Sequence, residues 1–146
     1  MYKICVRGLL SDEDTEIVKI LAPLIDNPNA PNRNGETPIY WAALRGHTEI
    51  VKILAPLTDN PNAQNDDGET PIYWAALRGH TEIVKILAPL TDNPNAPNDD
   101  GETPIDWAAE NGHTEIVKIL ASFTDNPKAH MVSTERKEMI KFIDSL

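Results

Sequence analysis

The sequence predicts an all-α repeat solenoid, and two observations in the chain support this fold class. The first is a period of 33 residues, which separates Gly35, Gly68 and Gly101. The second is that the 29 residues from Gly35 to Ala63 recur without change from Gly68 to Ala96. Self-similarity at such a period is typical of stacked units, because a single unit cannot bury its own apolar face.

The repeat divides the chain into successive units of one domain, residues 1–146. TEIVKILAPL occurs first at residues 15–24 and returns in the first two full units, so the first unit is an incomplete copy. Terminal units must meet water on one side, which predicts modified ends. The predicted parts are an N-terminal capping unit, three full repeats and a C-terminal capping helix, spanning residues 1–33, 34–66, 67–99, 100–132 and 133–146.

Each full unit predicts two short helices followed by a long turn. In the first unit Thr37 is the predicted N-cap, and Pro38 stands at the first helical position, where its missing N–H costs nothing. Gly46 ends this helix, because glycine tolerates the left-handed conformation of a helix terminus. Thr48 starts the second helix, which bends or ends at Pro56.

Composition and charge exclude several classes of protein. The net charge of −10 disfavours binding to nucleic acid or to an anionic membrane surface. It permits a basic protein partner, although solubility alone also explains an acidic surface. The apolar stretches are too short for a membrane span or a signal peptide, and Cys5 is the only cysteine. We therefore expect a soluble, cytoplasmic monomer.

The motif of each unit resembles the ankyrin repeat over residues 13–132. The matching positions of the first unit are Gly35, Thr37, Pro38, Ala42, Ala43, Gly46, His47, Val51, Leu54, Asn62 and Ala63. They recur in the next two units, except that Lys128 replaces the asparagine of the third. Two departures stand out. The family's histidine after Thr-Pro-apolar is replaced by Tyr40, Tyr73 and Asp106, and its glycine after the second helix by Thr58, Thr91 and Thr124.

The resemblance implies a non-catalytic module that binds a protein through a concave surface, formed by the turn tips and the exposed side of the first helices. Carried onto this sequence, the candidate partner-binding residues are Arg33, Asn34, Glu36, Tyr40, Leu44, Arg45, Asp66, Asp67, Glu69, Tyr73, Leu77, Arg78, Asp99, Asp100, Glu102, Asp106, Glu110 and Asn111. Exposed Tyr, Leu and Arg along a groove would resemble the hot spots of protein interfaces. The alternative for the tyrosines is packing between adjacent repeats.

The third unit differs from the first two on this surface. It carries Asp106, Glu110 and Asn111 where the second unit has Tyr73, Leu77 and Arg78. The net charge also falls along the chain, from −1 in residues 1–33 to −4 in residues 100–132. A partner lying along the groove would therefore meet an aromatic and aliphatic first half and an acidic second half.

Neither metal binding nor catalysis finds support in the sequence. Three histidines recur at the repeat spacing, but equivalent residues of packed helices lie about 8–10 Å apart, too far to share one ion. We expect them to bond backbone groups, and we expect the recurring tryptophans to pack in the core. These residues are His47, His80, His113, Trp41, Trp74 and Trp107. No glycine-rich phosphate loop or nucleophile pocket is present, so we predict no cofactor, no metal and no enzymatic activity.

A second interpretation of the array also stays open. The first two units share an identical 29-residue stretch, whereas a specific groove usually varies from unit to unit. An engineered or recently duplicated scaffold with no dedicated partner would show this identity. Against a design from family averages stand Tyr40 and the DNPNA turn, which depart from the family pattern.

Overall fold

The computed structural model describes residues 12–24 and 26–123, which contain α-helices and 3₁₀ turns and no strand. Helix α1 belongs to the incomplete unit, and three helix pairs follow. The helices are α1 Asp12–Leu21, α2 Pro38–Arg45, α3 Thr48–Leu54, α4 Pro71–Arg78, α5 Thr81–Leu87, α6 Pro104–Glu110 and α7 Thr114–Ala121. The predicted all-α solenoid of helix–turn–helix units is confirmed. The first eleven residues of the N-terminal capping unit and the capping helix expected at 133–146 lie outside the described residues.

The first helix of each full unit begins where the sequence predicts, and α2 and α4 also end at the predicted glycine. Thr37 Oγ1 accepts a hydrogen bond from the Tyr40 backbone N–H at 3.2 Å, and Pro38 occupies the first turn. Gly46 follows the helix with φ +79°, the left-handed region that glycine adopts without strain. Its N–H donates to Ala43 O at 3.3 Å, so a carbonyl at the helix end is satisfied.

The second helices bury one face and end in a 3₁₀ turn. In α3, Ile50, Val51 and Leu54 have no exposed surface. The helix passes into the 3₁₀ turn Ala55–Leu57, which contains the proline, and Thr58 then turns extended with φ −128°. The same turn follows α1 at Ala22–Leu24 and α5 at Ala88–Leu90. Proline thus ends the α-helix, because it cannot donate to the preceding turn.

One aliphatic core runs through the described units. First helices pack against first helices in the order α2, α4, α6, and second helices do the same in the order α3, α5, α7. Ile39, Ile50 and Leu54 are fully buried, as are their equivalents in the next two units. Each such side chain contributes about 1.5–3 kcal/mol on burial. Within residues 12–24 and 26–123, no helix combines the length and the apolar character needed to cross a bilayer.

Asparagine side chains order the long turns and connect them to the helices. Asn62 is buried, and its Oδ1 accepts from the Ile72 backbone N–H at 2.9 Å, close to the start of α4. Asn65 Oδ1 accepts from the N–H groups of Asp67 and Glu69 in a hairpin-like turn. The turns also join one another, since Asp66 N–H donates to the Asn34 carbonyl at 2.9 Å. Neighbouring units are therefore held by backbone bonds as well as by the core.

Candidate functional site

Most of the predicted binding residues are accessible, but three are not. The turn tips and the ends of the first helices are exposed at Arg33, Asn34, Arg45, Asp66, Asp67, Arg78, Asp99, Asp100, Glu110 and Asn111. Partly exposed residues are Glu36, Leu44, Glu69, Leu77 and Glu102. The expectation of an exposed side chain is wrong for Tyr40, Tyr73 and Asp106, which are 2%, 4% and 8% exposed.

The tyrosines are buried because each hydroxyl bonds to the next unit. Tyr40 Oη donates to Glu69 Oε2 at 3.0 Å and accepts from Asn65 Nδ2 at 3.2 Å. Asn65 Nδ2 and Trp74 Nε1 also donate to Glu69 Oε2, at 3.0 and 3.2 Å. The Tyr73 hydroxyl makes the same two bonds one unit later, to Glu102 Oε2 and from Asn98 Nδ2. The alternative interpretation, packing between adjacent repeats, is therefore confirmed for both tyrosines.

This environment keeps the two phenols protonated. Burial is the larger cause and raises the pKa of Tyr40 well above its usual value, and the adjacent Glu69 carboxylate raises it further. Burial and then Glu102 raise the pKa of Tyr73 in the same way. A neutral phenol donates to a carboxylate, whereas a phenolate beside that carboxylate would be repelled. Each tyrosine is a structural link between units.

Asp106 stands at the equivalent position of the third unit, and it hydrogen-bonds to Thr103, the N-cap of its own helix. Thr103 Oγ1 donates to Asp106 Oδ2 at 2.7 Å, and the Asp106 backbone N–H donates back to Thr103 Oγ1 at 3.3 Å. A short carboxylate can face the cap, whereas the longer tyrosine reaches the next unit. Asp106 therefore belongs to the helix cap, and Glu110 and Asn111 provide the exposed difference of this unit.

The tryptophans lie at the edge of the core rather than within it, contrary to the expectation that they pack in the core, and the indole nitrogens of Trp41 and Trp107 are buried. Trp41, Trp74 and Trp107 are all partly exposed and lie outside the aliphatic core. The guanidinium of Arg45 lies 5.8 Å from the ring centroid of Trp41, and Arg78 lies at the same distance from Trp74. Both are within cation–π range.

The spacing of residues along the first helices could have predicted that these tryptophans lie away from the buried side. In α2 the buried side is formed by Ile39, Ala42 and Ala43. Trp41, Leu44 and Arg45 are separated by three and four residues, which places them on a common face away from that side. We name the exposed and partly exposed residues on this side of the first helices the first-helix face. They are Trp41, Leu44, Arg45, Trp74, Leu77, Arg78, Trp107, Glu110 and Asn111.

An open groove of about 410 Å³ crosses the first-helix face between the first two full units. Its walls are Leu44, Arg45, Leu77, Arg78 and His80. His80 Nε2 lies 3.3 Å from the Leu44 carbonyl, to which it donates. The groove therefore has apolar walls, two cations and a histidine fixed by the preceding unit.

The histidines bond backbone groups, as the sequence predicted. His113 Nε2 donates to Leu77 O at 3.2 Å, which repeats the bond of His80 one unit later. Burial lowers the pKa of His80, outweighing the opposite effect of its carbonyl partner. Across the described residues, no group of three or more potential metal-binding side chains comes together. His80 and His113 thus each connect their unit to the one before it.

Repeated helix pairs, buried links between units and an exposed first-helix face define a helical repeat protein. The chain matches the family model described as "Ankyrin repeats (3 copies)" over residues 5–92 and again over residues 56–133. It belongs to the ankyrin-repeat family. Members of this family are generally protein–protein interaction modules and typically non-catalytic. A comparison with curated proteins finds no significant match.

Proposed function

We propose that this chain is a non-catalytic binding module that holds a protein partner along the first-helix face and the adjoining turn tips. The observation that carries the proposal is the pairing of Trp41 with Arg45 and of Trp74 with Arg78 at the surface. Tryptophan and arginine dominate the energetics of protein interfaces, and both retain contact area here. The core is complete without them, because it is aliphatic.

The charges of the surface support a protein partner rather than nucleic acid or a membrane. The turn tips carry Asp66, Asp67, Asp99 and Asp100, all exposed, and phosphate groups would be repelled by them. A partner with apolar groups near the groove and basic groups near the turn tips and the third unit would complement the face. The module is proposed to act as a monomer.

The difference between the second and third units supplies substitutions that test this proposal. Replacing Leu77→Glu together with Arg78→Asn gives the second unit the residues that the third unit carries as Glu110 and Asn111. The backbone already accommodates those residues in an equivalent helix, so the fold should persist. Glu110→Leu with Asn111→Arg is the reciprocal control, which lengthens the groove.

Proteins captured from a cell extract by the unmodified chain would be compared with those captured by each variant. We expect the Leu77 and Arg78 exchange to lower capture of a specific partner at least tenfold, since a hot spot contributes about 2 kcal/mol or more. The reciprocal variant is expected to retain it. Equal capture by all three chains would contradict the proposal and favour a stable scaffold without a dedicated partner.

A further inference from the structure

A second row of apolar side chains is exposed away from the first-helix face. It lies at the end of the 3₁₀ turns, where Leu24, Leu57 and Leu90 are 76%, 39% and 49% exposed. Phe123 takes the same position in the third full unit and is 44% exposed. The core does not use these residues, because Leu54 and Leu87 already reach it from the preceding helices. The row is therefore a recurrent exposed apolar feature that the core does not require.

Aspartates accompany this row. Asp26, Asp59 and Asp92 follow the leucines by two residues and are all exposed. The ion pairs Lys52–Glu49 and Lys85–Glu82 do not involve these aspartates. We name the surface made of Leu24, Asp26, Leu57, Asp59, Leu90 and Asp92 the Leu–Asp row.

Two open grooves repeat along the Leu–Asp row. The first, of about 660 Å³, is lined by Asp26, Leu57 and Asp59 among other residues. The second, of about 560 Å³, is lined by Asp59, Leu90 and Asp92. Among the described residues, no lysine, arginine or histidine lines either groove. Each groove thus has one leucine and two carboxylates, and the described part of the chain supplies no cation to it.

We propose that the Leu–Asp row docks a basic segment of a partner protein in the polyproline II conformation, with a lysine or arginine at every third residue. Successive units repeat at about 8–10 Å, the spacing of packed helices, and three residues of polyproline II make one turn that rises about 9 Å, which brings every third side chain to the same face. One basic side chain would therefore enter each groove. Its aliphatic stem would cover the leucine while its charged end lies between the two carboxylates.

This surface is separate from the first-helix face, because the two share no residue. The grooves of the Leu–Asp row are lined by the turns that follow the second helices, whereas the other groove is lined by Leu44, Arg45, Leu77, Arg78 and His80. Binding at one surface can thus be lost while binding at the other persists. The Leu77→Glu with Arg78→Asn variant serves as the control for independence.

The test uses fluorescein-labelled peptides and anisotropy with the full chain. One peptide contains three successive Lys-Ser-Ala repeats, and the other has the same composition with its lysines contiguous. The row variants are Asp59→Asn with Asp92→Asn and Leu57→Ser with Leu90→Ser. Glu49→Gln with Glu82→Gln is the matched control, because it removes the same charge from two exposed residues of the second helices that belong to neither proposed surface.

We expect the spaced peptide to bind more tightly than the contiguous one, and the aspartate row variant to weaken it about tenfold. The leucine variant is expected to weaken it severalfold, and the Glu49 and Glu82 control less than threefold. Equal binding of the two peptides would overturn the proposal. So would an equal loss in the Glu49 and Glu82 control, because net charge alone would then explain the attraction.

Discussion

Replacing Gly79 with alanine tests how tightly the units pack, and the chain contains a matched control for it. Gly79 and Gly112 both have positive φ, +81° and +74°. An alanine Cβ on Gly79 would lie 2.7 Å from His113 Cε1 and 3.0 Å from Nδ1. No atom of the described residues lies within 4 Å of a Cβ on Gly112. The two substitutions share the backbone strain and differ in the contact with the next unit.

The expected magnitudes follow from these two causes. A left-handed conformation costs a non-glycine residue about 1–2 kcal/mol, which both variants carry. In Gly79→Ala the imidazole must also move, which strains the packing by about 1–3 kcal/mol and weakens its 3.2 Å bond to Leu77 O, worth about 1 kcal/mol. We therefore expect losses of about 3–5 kcal/mol for Gly79→Ala and about 1–2 kcal/mol for Gly112→Ala.

Urea unfolding followed by far-ultraviolet circular dichroism measures both losses through the shift in the free energy of unfolding. His113→Ala, alone and combined with Gly79→Ala, completes a double-mutant cycle. With the ring removed, the excess cost of Gly79→Ala over Gly112→Ala should disappear, giving a coupling of about 2 kcal/mol. Equal losses for the two glycine variants, or no coupling to His113, would refute this account of the packing.

Two further predictions concern the links between units. Asn62→Ala leaves the buried Ile72 N–H without its acceptor, so we expect a loss of about 1–3 kcal/mol in urea unfolding. Asn60→Ala, at an exposed residue of the same turn, should cost less than 1 kcal/mol. The second prediction follows from the raised pKa values of Tyr40 and Tyr73. Because both phenols stay protonated in the folded state, their contribution to stability is complete below the ordinary tyrosine pKa of about 10 and is lost as pH rises above that value. Stability measured between pH 9 and 11 should therefore fall less steeply in a Tyr40→Phe, Tyr73→Phe variant, and an unchanged slope would contradict the assignment.

The fold was predictable from the sequence because the same signals for the start and end of each helix occur in successive repeats. Thr37, Pro38 and Gly46 each act locally, and their roles depend on residues within one helix. The helical period also carries the information that Trp41 faces outwards, although the family resemblance led to the opposite expectation. Local rules therefore suffice for the helices and for the identity of their exposed side.

The burial of the tyrosines was not predictable in the same way. Tyr40 is held by Asn65 and Glu69, which lie 25 and 29 residues further along the chain. Whether a tyrosine at this position faces a partner or the next unit depends on the distance and angle between two turns. Such a link becomes visible only when neighbouring units are placed together.

The bonds between turns have a consequence for how this chain can change in length. Asn34 O accepts from Asp66 N, and Asp67 O accepts from Asp99 N, so the same junction occurs twice. A further copy of residues 67–99 inserted between them would find the same partners on both sides. Growth by whole units therefore requires no new interface, and each insertion would extend both surfaces by about 8–10 Å. The array could thus be matched to a longer partner by gene duplication alone.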